Sequence, residues 1–337
     1  MTVPALPSRL PTVGTTIFTV MSRLANEHGA INLSQGFPDF SPPAHLLERV
    51  THHMQAGANQ YPPMAGVAPL RAAIAEKVER LYGARYDIES EITVTAGATQ
   101  ALFTAIAACV RPGDEVIVFA PVYDSYIPAL TLQGGSVRVI NLQPPAFRPD
   151  WAAVAAAVTP RTRMIILNTP HNPTGTVWTA DDMAALARLV RGTDIVLLGD
   201  EVYEHILYTG QHESLARMPE LRERSFVVSS FGKTYHITGW KVAYCLAPAA
   251  LTAEFRKVHQ LTCSPCITRR NWGWPISCAP IRASRPGSPT STGPSATSSA
   301  CSWRARASSC CPVTAPTSSS RAMTGSTICP TPSSRAG

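Results

Sequence analysis

Residues 263–337 contain no aspartate, no glutamate and no lysine, although eight arginines fall there. Residues 1–262 hold all 22 acidic residues and the other 21 Lys/Arg, a net of −1, so the formal charge of +7 belongs wholly to the tail. That distribution argues against a basic surface for nucleic acid. Cysteine is scarce in the body: Cys109 and Cys245 precede the boundary and seven cysteines follow it. One average therefore covers two unlike polymers. No run approaches the roughly 18–20 apolar residues that a membrane helix needs. The opening stretch MTVPALPSRLPTVG has no apolar signal core, so a cytoplasmic location is the expectation. No DNA-binding segment precedes Leu10, which argues against a transcriptional regulator.

The tail also lacks periodicity. From about Leu261, Ser, Pro, Thr, Arg and Cys take over, and SRPGSPTSTGPSATSSA writes neither a helix face nor an alternating strand. A disordered Ser/Pro-rich segment is one reading. Seven cysteines and three tryptophans without one acidic residue favour another, a reading frame that has slipped. Joining the third base of each tail codon to the first two of the next lets 268–283 encode AAQLGLADFLRA, a plausible helix. On that reading Cys263-Ser-Pro-Cys266 and Cys310-Cys311 are accidents of the frame, not zinc or redox motifs.

What is present in residues 1–262 is a regular alternation. Strands are expected at Ile92–Ala96, Glu115–Phe119, Ser136–Asn141, Met164–Asn168, Ile195–Leu198, Phe226–Ser229 and Val242–Leu246. Helices are expected near Thr99–Val110, Ser125–Gln133, Asp150–Val158 and Ala180–Arg191, the last capped by Thr179. Continuous apolar runs such as MIIL and DIVLL imply strands buried on both faces, hence an α/β fold with a largely parallel sheet between helices. The length of 337 residues suits one large domain or two unequal ones. Sheets of this kind bind ligands beyond the carboxyl ends of their strands, and the chemically informative residues cluster there.

After the first strand, Thr95-Ala-Gly-Ala-Thr-Gln100 opens a helix. The small Gly97, Ala98 and Thr99 would let backbone amides meet a phosphate, though a plain tight turn has the same composition. After the next strand, Tyr123 and Tyr126 could cover a ring or simply pack. In Asn168-Thr-Pro-His-Asn-Pro-Thr-Gly175, two X-Pro steps and a glycine fix an extended, turning path. That path can hold the Asn172 amide toward a phenolate-like oxygen, with His171 in a packing role. DIVLL ends in Gly-Asp200-Glu-Val-Tyr203. A carboxylate there is costly unless a cation or metal pairs with it, and no neighbouring His/Asp/Glu spacing makes a metal site. A protonated pyridine nitrogen would satisfy Asp200, and Tyr203 could reach a phenolic oxygen. Finally, Ser229-Ser-Phe-Gly-Lys-Thr-Tyr-His-Ile-Thr-Gly-Trp-Lys241 places Lys233 among small, hydroxylated and aromatic residues, with Lys241 as a second cation. Such a lysine can condense with an aldehyde while Ser230 and Lys241 hold a phosphate. Phosphate, aldehyde, phenolic oxygen and pyridine nitrogen coexist in pyridoxal 5′-phosphate.

These motifs resemble the fold-type I pyridoxal-phosphate aminotransferases of class I/II, most closely the methionine aminotransferase and kynurenine aminotransferase-like branch. The resemblance runs from LPTVGTTIF at Leu10, through NLSQGFPDF at Asn32, to about Gln260, and rests on NTPHNPTG, DEVYEHI and SFGKTYHITGWKVAY. It implies that Lys233 carries the cofactor and acts as general base, with Asp200 on the ring nitrogen. Asn172 and Tyr203 would hold the phenolic oxygen, with Tyr123 stacked on the ring. Gly97, Ala98, Thr99, Ser230 and Lys241 would surround the phosphate. Tyr61 would reach the phosphate of a neighbouring subunit, which implies a homodimer. Gly36 would lie near the substrate carboxylate, and Ile17, Phe18 and Phe37 would border an apolar side-chain pocket. The substrates would be an amino acid and a 2-oxo acid. A carbon–sulfur β-lyase on the same fold uses the same cofactor residues, and an inactive remnant is the reading from another class.

The expected organisation is an N-terminal arm and part of a small domain over 1–40, a cofactor-binding large domain over 41–262, and a tail outside the family pattern over 263–337. The family's carboxylate-gripping arginine belongs to a C-terminal segment that nothing after Gln260 matches. Impaired substrate binding is therefore expected of the chain as written.

Overall fold

The computed structural model describes residues 5–36, 41–208 and 210–263; Phe37 and the tail beyond Cys263 lie outside them. The chain begins with α1 (Ile17–Glu27), α2 (Ala44–Gln55) and α3 (Ala68–Tyr82), and then alternates. β1 (Ile92–Thr95) leads to α4 (Ala98–Cys109), β2 (Glu115–Ala120) to α5 (Tyr126–Leu132), and β3 (Ser136–Asn141) to α6 (Trp151–Ala157). β4 (Thr162–Asn168) leads to α7 (Ala180–Val190), and β5 (Val196–Asp200) to α8 (Pro219–Arg222). β6 (Ser225–Ser230), α9 (Phe231–Thr234), β7 (Ala243–Leu246) and α10 (Ala249–Thr262) complete the described elements. Each strand and helix read from periodicity is present, with ends moved by a residue or two as fraying allows. Thr179 caps α7 in a reciprocal capping box with Asp182, and Asp150 caps α6 by accepting from the Ala152 and Ala153 N–H groups.

The strands form one sheet in the order β1-β7-β6-β5-β4-β2-β3. Pairing is parallel from β6 through β5, β4 and β2 to β3, and β7 runs antiparallel to both β6 and β1. The apolar strands alternate between two cores. Ile165, Leu167, Leu197 and Val227 face α3, α6 and α7, whereas Met164, Ile166, Leu198 and Val228 face α4, α5 and α10. Helices thus cover both faces of the sheet, as continuous apolar strands require. Among the described residues no helix is long and apolar enough to cross a membrane.

The reversal of β7 positions the site. Residues 231–242 contain only the short α9 and a single 3-10 turn, so the chain re-enters the sheet at the edge where β6 left it. Ser230 of β6 and Thr95 of β1 both pair with Ala243. The carboxyl ends of β1 and β6 and the start of β7 therefore meet at one point, bringing together Gly97–Thr99, Ser230–Lys233 and Lys241. Beside them, β4 and β5 end level, with Asn168 paired to Asp200.

Candidate active site

One cavity of about 480 Å³ opens above these strand ends. Gly36, Gly97, Ala98, Thr99, Tyr123, Asn172, Asp200, Tyr203, Ser230, Lys233, Lys241 and Phe18 all line it. Ile17, at the first position of α1, is 62% exposed and Tyr61 is 88% exposed; neither borders the cavity. His171 is buried, its ring bonded to the Thr174 hydroxyl at 2.8 Å and the Pro121 carbonyl at 3.0 Å.

The cavity has an anion-binding end. Gly97, at φ 85° and ψ 163°, caps α4 without any side-chain cap bond, which leaves the N–H groups of the first turn to meet a ligand. A Cβ at Gly97 would lie 3.0 Å from Cε and 3.4 Å from Nζ of Lys241. Glycine thus keeps open the space between the helix end and that ammonium. Lys241 itself adopts a left-handed backbone at φ 53°, a conformation that costs a side-chain-bearing residue about 1–3 kcal/mol and clusters at functional sites. The Ser230 hydroxyl accepts from the Gly232 N–H at 3.1 Å and keeps its own proton to donate. Helix N-terminus, hydroxyl and ammonium make a donor set suited to a phosphate.

The opposite end is acidic. Asp200 is buried, and its Oδ2 accepts from the Tyr126 phenol at 2.5 Å. Its Oδ1 receives only a long 3.4 Å contact from the Val202 N–H. Burial pushes the Asp200 carboxyl up to about 6, against the Tyr126 and Val202 bonds and Lys233, which favour the anion. A carboxyl so placed calls for a cationic N–H partner. Asn168 fixes both neighbours: its amide donates to the Asp200 carbonyl at 2.8 Å, and its Oδ1 accepts from the Asn172 N–H at 2.7 Å.

Lys233 lies between the two ends. Its Nζ donates to the Gly36 carbonyl at 3.3 Å and sits 5.4 Å from the centre of the Tyr203 ring. Burial lowers its pKa, Asp200 opposes that, and Lys241 adds to it. The result is an amine with a larger neutral, nucleophilic fraction than an exposed lysine. Burial raises the Tyr203 phenol, with the Asp200 charge contributing, so it stays a proton donor at neutral pH. Tyr123 meets Tyr126 edge-on at a centroid distance of 5.6 Å.

Sequence reasoning assigned Tyr126 no more than an aromatic face and did not single out Asn168. The signal for Asn168 was its place at a strand end, level with Asp200 once the parallel pairing is known. For Tyr126 no pattern along the chain announces a partner 74 residues away.

A cavity that joins a half-buried lysine, a buried carboxylate and an anion cradle above a largely parallel sheet defines a class of site, and comparison with known proteins gives the family. Residues 28–270 match the model for aminotransferase class I and II, and the chain belongs to that family. It is 61% identical over 259 residues to the methionine aminotransferase of Escherichia coli K12, covering 76% of this chain and 67% of that protein. It is 37% identical to human kynurenine–oxoglutarate transaminase 1 over 261 residues, covering 73% of this chain and 62% of the relative. Among solved structures, the E. coli protein YbdL, described as having a methionine aminotransferase function, superposes with a TM-score of 0.80 at 57% identity over 82% of this chain and 72% of that one. Aspartate aminotransferase from Thermus thermophilus with maleate gives 0.77 at 33% identity, over 82% and 73%. The chain spans about two thirds of the length of the curated relatives it matches.

Proposed function

We propose that this chain carries the cofactor half of a pyridoxal-phosphate-dependent aminotransferase, acting between an amino acid (methionine, aromatic or similar) and a 2-oxo acid. The observation that carries the reading is the single cavity holding Lys233 between Asp200 and the Gly97–Lys241 cradle. The E. coli relative named for methionine supports the donor class.

The α4 N-terminus, the Ser230 hydroxyl and Lys241 would hold the phosphate, and Asn172 and Tyr203 the phenolic oxygen. Asp200 would receive the ring N–H. When bound, the cofactor supplies an electrophilic aldehyde and an electron-withdrawing ring. The protein supplies the rest. Lys233 Nζ, depressed by burial, takes the proton from the substrate α-carbon and returns it as general acid. Asp200 would set its negative charge opposite the ring nitrogen and so favour that nitrogen's protonated form.

Tyr61, exposed on the loop after α2, would serve the site of a second copy in a homodimer. No arginine of the described residues lines the cavity, so these residues do not supply the two-pronged ion pair to the substrate carboxylate that the family resemblance implies. The match to the family ends at residue 270, near the change in composition, which supports a slipped reading frame beyond about 263. Cofactor binding with weak or no transamination is the expected behaviour. Adding pyridoxal phosphate should raise a long-wavelength absorbance band in the wild-type chain and none in Lys233→Ala. Soluble wild-type protein without that band would mark an inactive remnant. Release of 2-oxo acid without any amino acceptor would mark a β-lyase instead. Stop codons in the alternative frame of the nucleotide sequence would overturn the frame proposal.

A further inference from the structure

We propose that Tyr126 is a positioning residue that keeps Asp200 ionised and oriented, so that Oδ1 is left to receive the cofactor's ring N–H. The proposal rests on the pyridoxal-phosphate reading for its ligand, but not for its geometry.

Tyr126 opens α5 and is 4% exposed. Its N–H bonds the Tyr123 carbonyl at 3.2 Å, which makes the 123–126 segment a tight turn with the two rings edge-on. A phenylalanine would fill the same space, so packing alone does not require the hydroxyl. A buried hydroxyl needs a partner, and here it meets the carboxylate at 2.5 Å. An ionised carboxylate can only accept, so while Asp200 is charged the Tyr126 hydroxyl donates and Oδ2 accepts. Oδ1, the oxygen with only one long protein contact, is the one left for a cationic N–H. The other groups that act on Asp200 are Glu201, which disfavours the anion, and Lys233, which favours it. Tyr123 and Tyr203 also sense its charge, but both remain neutral phenols. Among these groups Tyr126 alone bonds the carboxylate through its side chain.

The test has two arms. In the cofactor-free protein labelled with ¹³C at aspartate Cγ, Asp200 is assigned by its loss in Asp200→Asn and titrated by NMR. In Tyr126→Phe its midpoint should move up by about one pH unit or more, a tenfold change in the acid constant. An unmoved midpoint overturns the proposal, whatever the protein binds. The second arm uses 4′-deoxypyridoxine 5′-phosphate, which keeps ring nitrogen and phosphate but has no aldehyde for Lys233. Tyr126→Phe should weaken its binding about twofold at pH 7 and nearly tenfold at pH 5, with loss of the ring-protonated absorbance. In an Asp200→Asn background the same change should have no effect. An equal loss in both backgrounds would mean that the hydroxyl acts through packing, and would sink the idea. Failure of the wild-type chain to bind the analogue would count against the cofactor reading, while the NMR arm still decides the role of Tyr126.

Discussion

At the scale of single residues, the site holds charge where folding disfavours it. Asp200 carries an ordinary acid value of 3.8 when unfolded and about 6 when folded, through burial. The folded state therefore holds the proton more tightly. Its contribution to stability is complete below about pH 4 and is lost as pH rises through 6, a loss of about 3 kcal/mol for two pH units. Asp200→Asn abolishes that dependence. In urea unfolding of the cofactor-free chains, the two proteins should be equally stable near pH 4 and differ by about 3 kcal/mol at pH 8, the asparagine variant being the more stable. A gap that does not change with pH would show that Asp200 is not the strained group. The same variant should lose its grip on the cofactor, which is the usual conflict between stability and function. Gly97 makes the complementary case. Alanine at φ 85° is strained by about 1–3 kcal/mol, and its Cβ would press on Lys241 Cε at 3.0 Å. Pyridoxal-phosphate affinity, followed by fluorescence, should fall at least about tenfold in Gly97→Ala, roughly the 1.4 kcal/mol such displacement implies.

At the scale of elements, a buried ion pair fixes the segments that present these residues. Glu204, next to Tyr203, receives the Lys77 ammonium of α3 at 2.6 Å. It also accepts from the Ser229 hydroxyl, next to Ser230, and from the Tyr82 phenol. Burial opposes the Glu204 anion, but Lys77, His205 and Ser229 hold its carboxyl well below the usual range. Lys77→Met would leave that anion buried and unpaired, at a cost of about 3–5 kcal/mol. Lys77→Met with Glu204→Gln should recover much of the loss in urea denaturation. A single variant within about 1 kcal/mol of wild type would show the pair to be dispensable. The DEVYEHI segment carried only half of this in its sequence. Asp200 and Tyr203 were legible because a carboxylate ending an apolar strand demands an explanation. Glu201 and Glu204 were silent, since Lys77 lies 127 residues from Glu204 and no local pattern links them. The antiparallel course of β7 was likewise hidden, because a fully apolar strand reads the same in either direction. Strand and helix positions themselves were legible, since strands buried on both faces write continuous apolar runs and the helices packed on them write a period of about 3.6.

At the scale of the molecule, what the described residues lack is cover for the N-terminal arm. α1 buries none of its residues, and Leu6, Val13, Ile17, Ile31 and Leu33 are exposed. Tyr61, a large aromatic at 88% exposure, projects from the same half of the chain. If Tyr61 serves a second copy's phosphate site, then one site draws on two chains, and defects in different chains can complement each other. Lys233→Ala destroys the covalent anchor of its own chain's site, and Tyr61→Ala weakens the site of its partner. Neither variant alone should give the full long-wavelength band with pyridoxal phosphate. Unfolded together and refolded at equal amounts, half of the dimers should be mixed. In each mixed dimer, the chain that lacks Tyr61 keeps its Lys233 and receives Tyr61 from the other. About a quarter of all sites should then be intact, and the absorbance band should recover in that proportion. A mixture that shows only the average of its two parents would place Tyr61 outside any shared site and remove the argument for a dimer built around it.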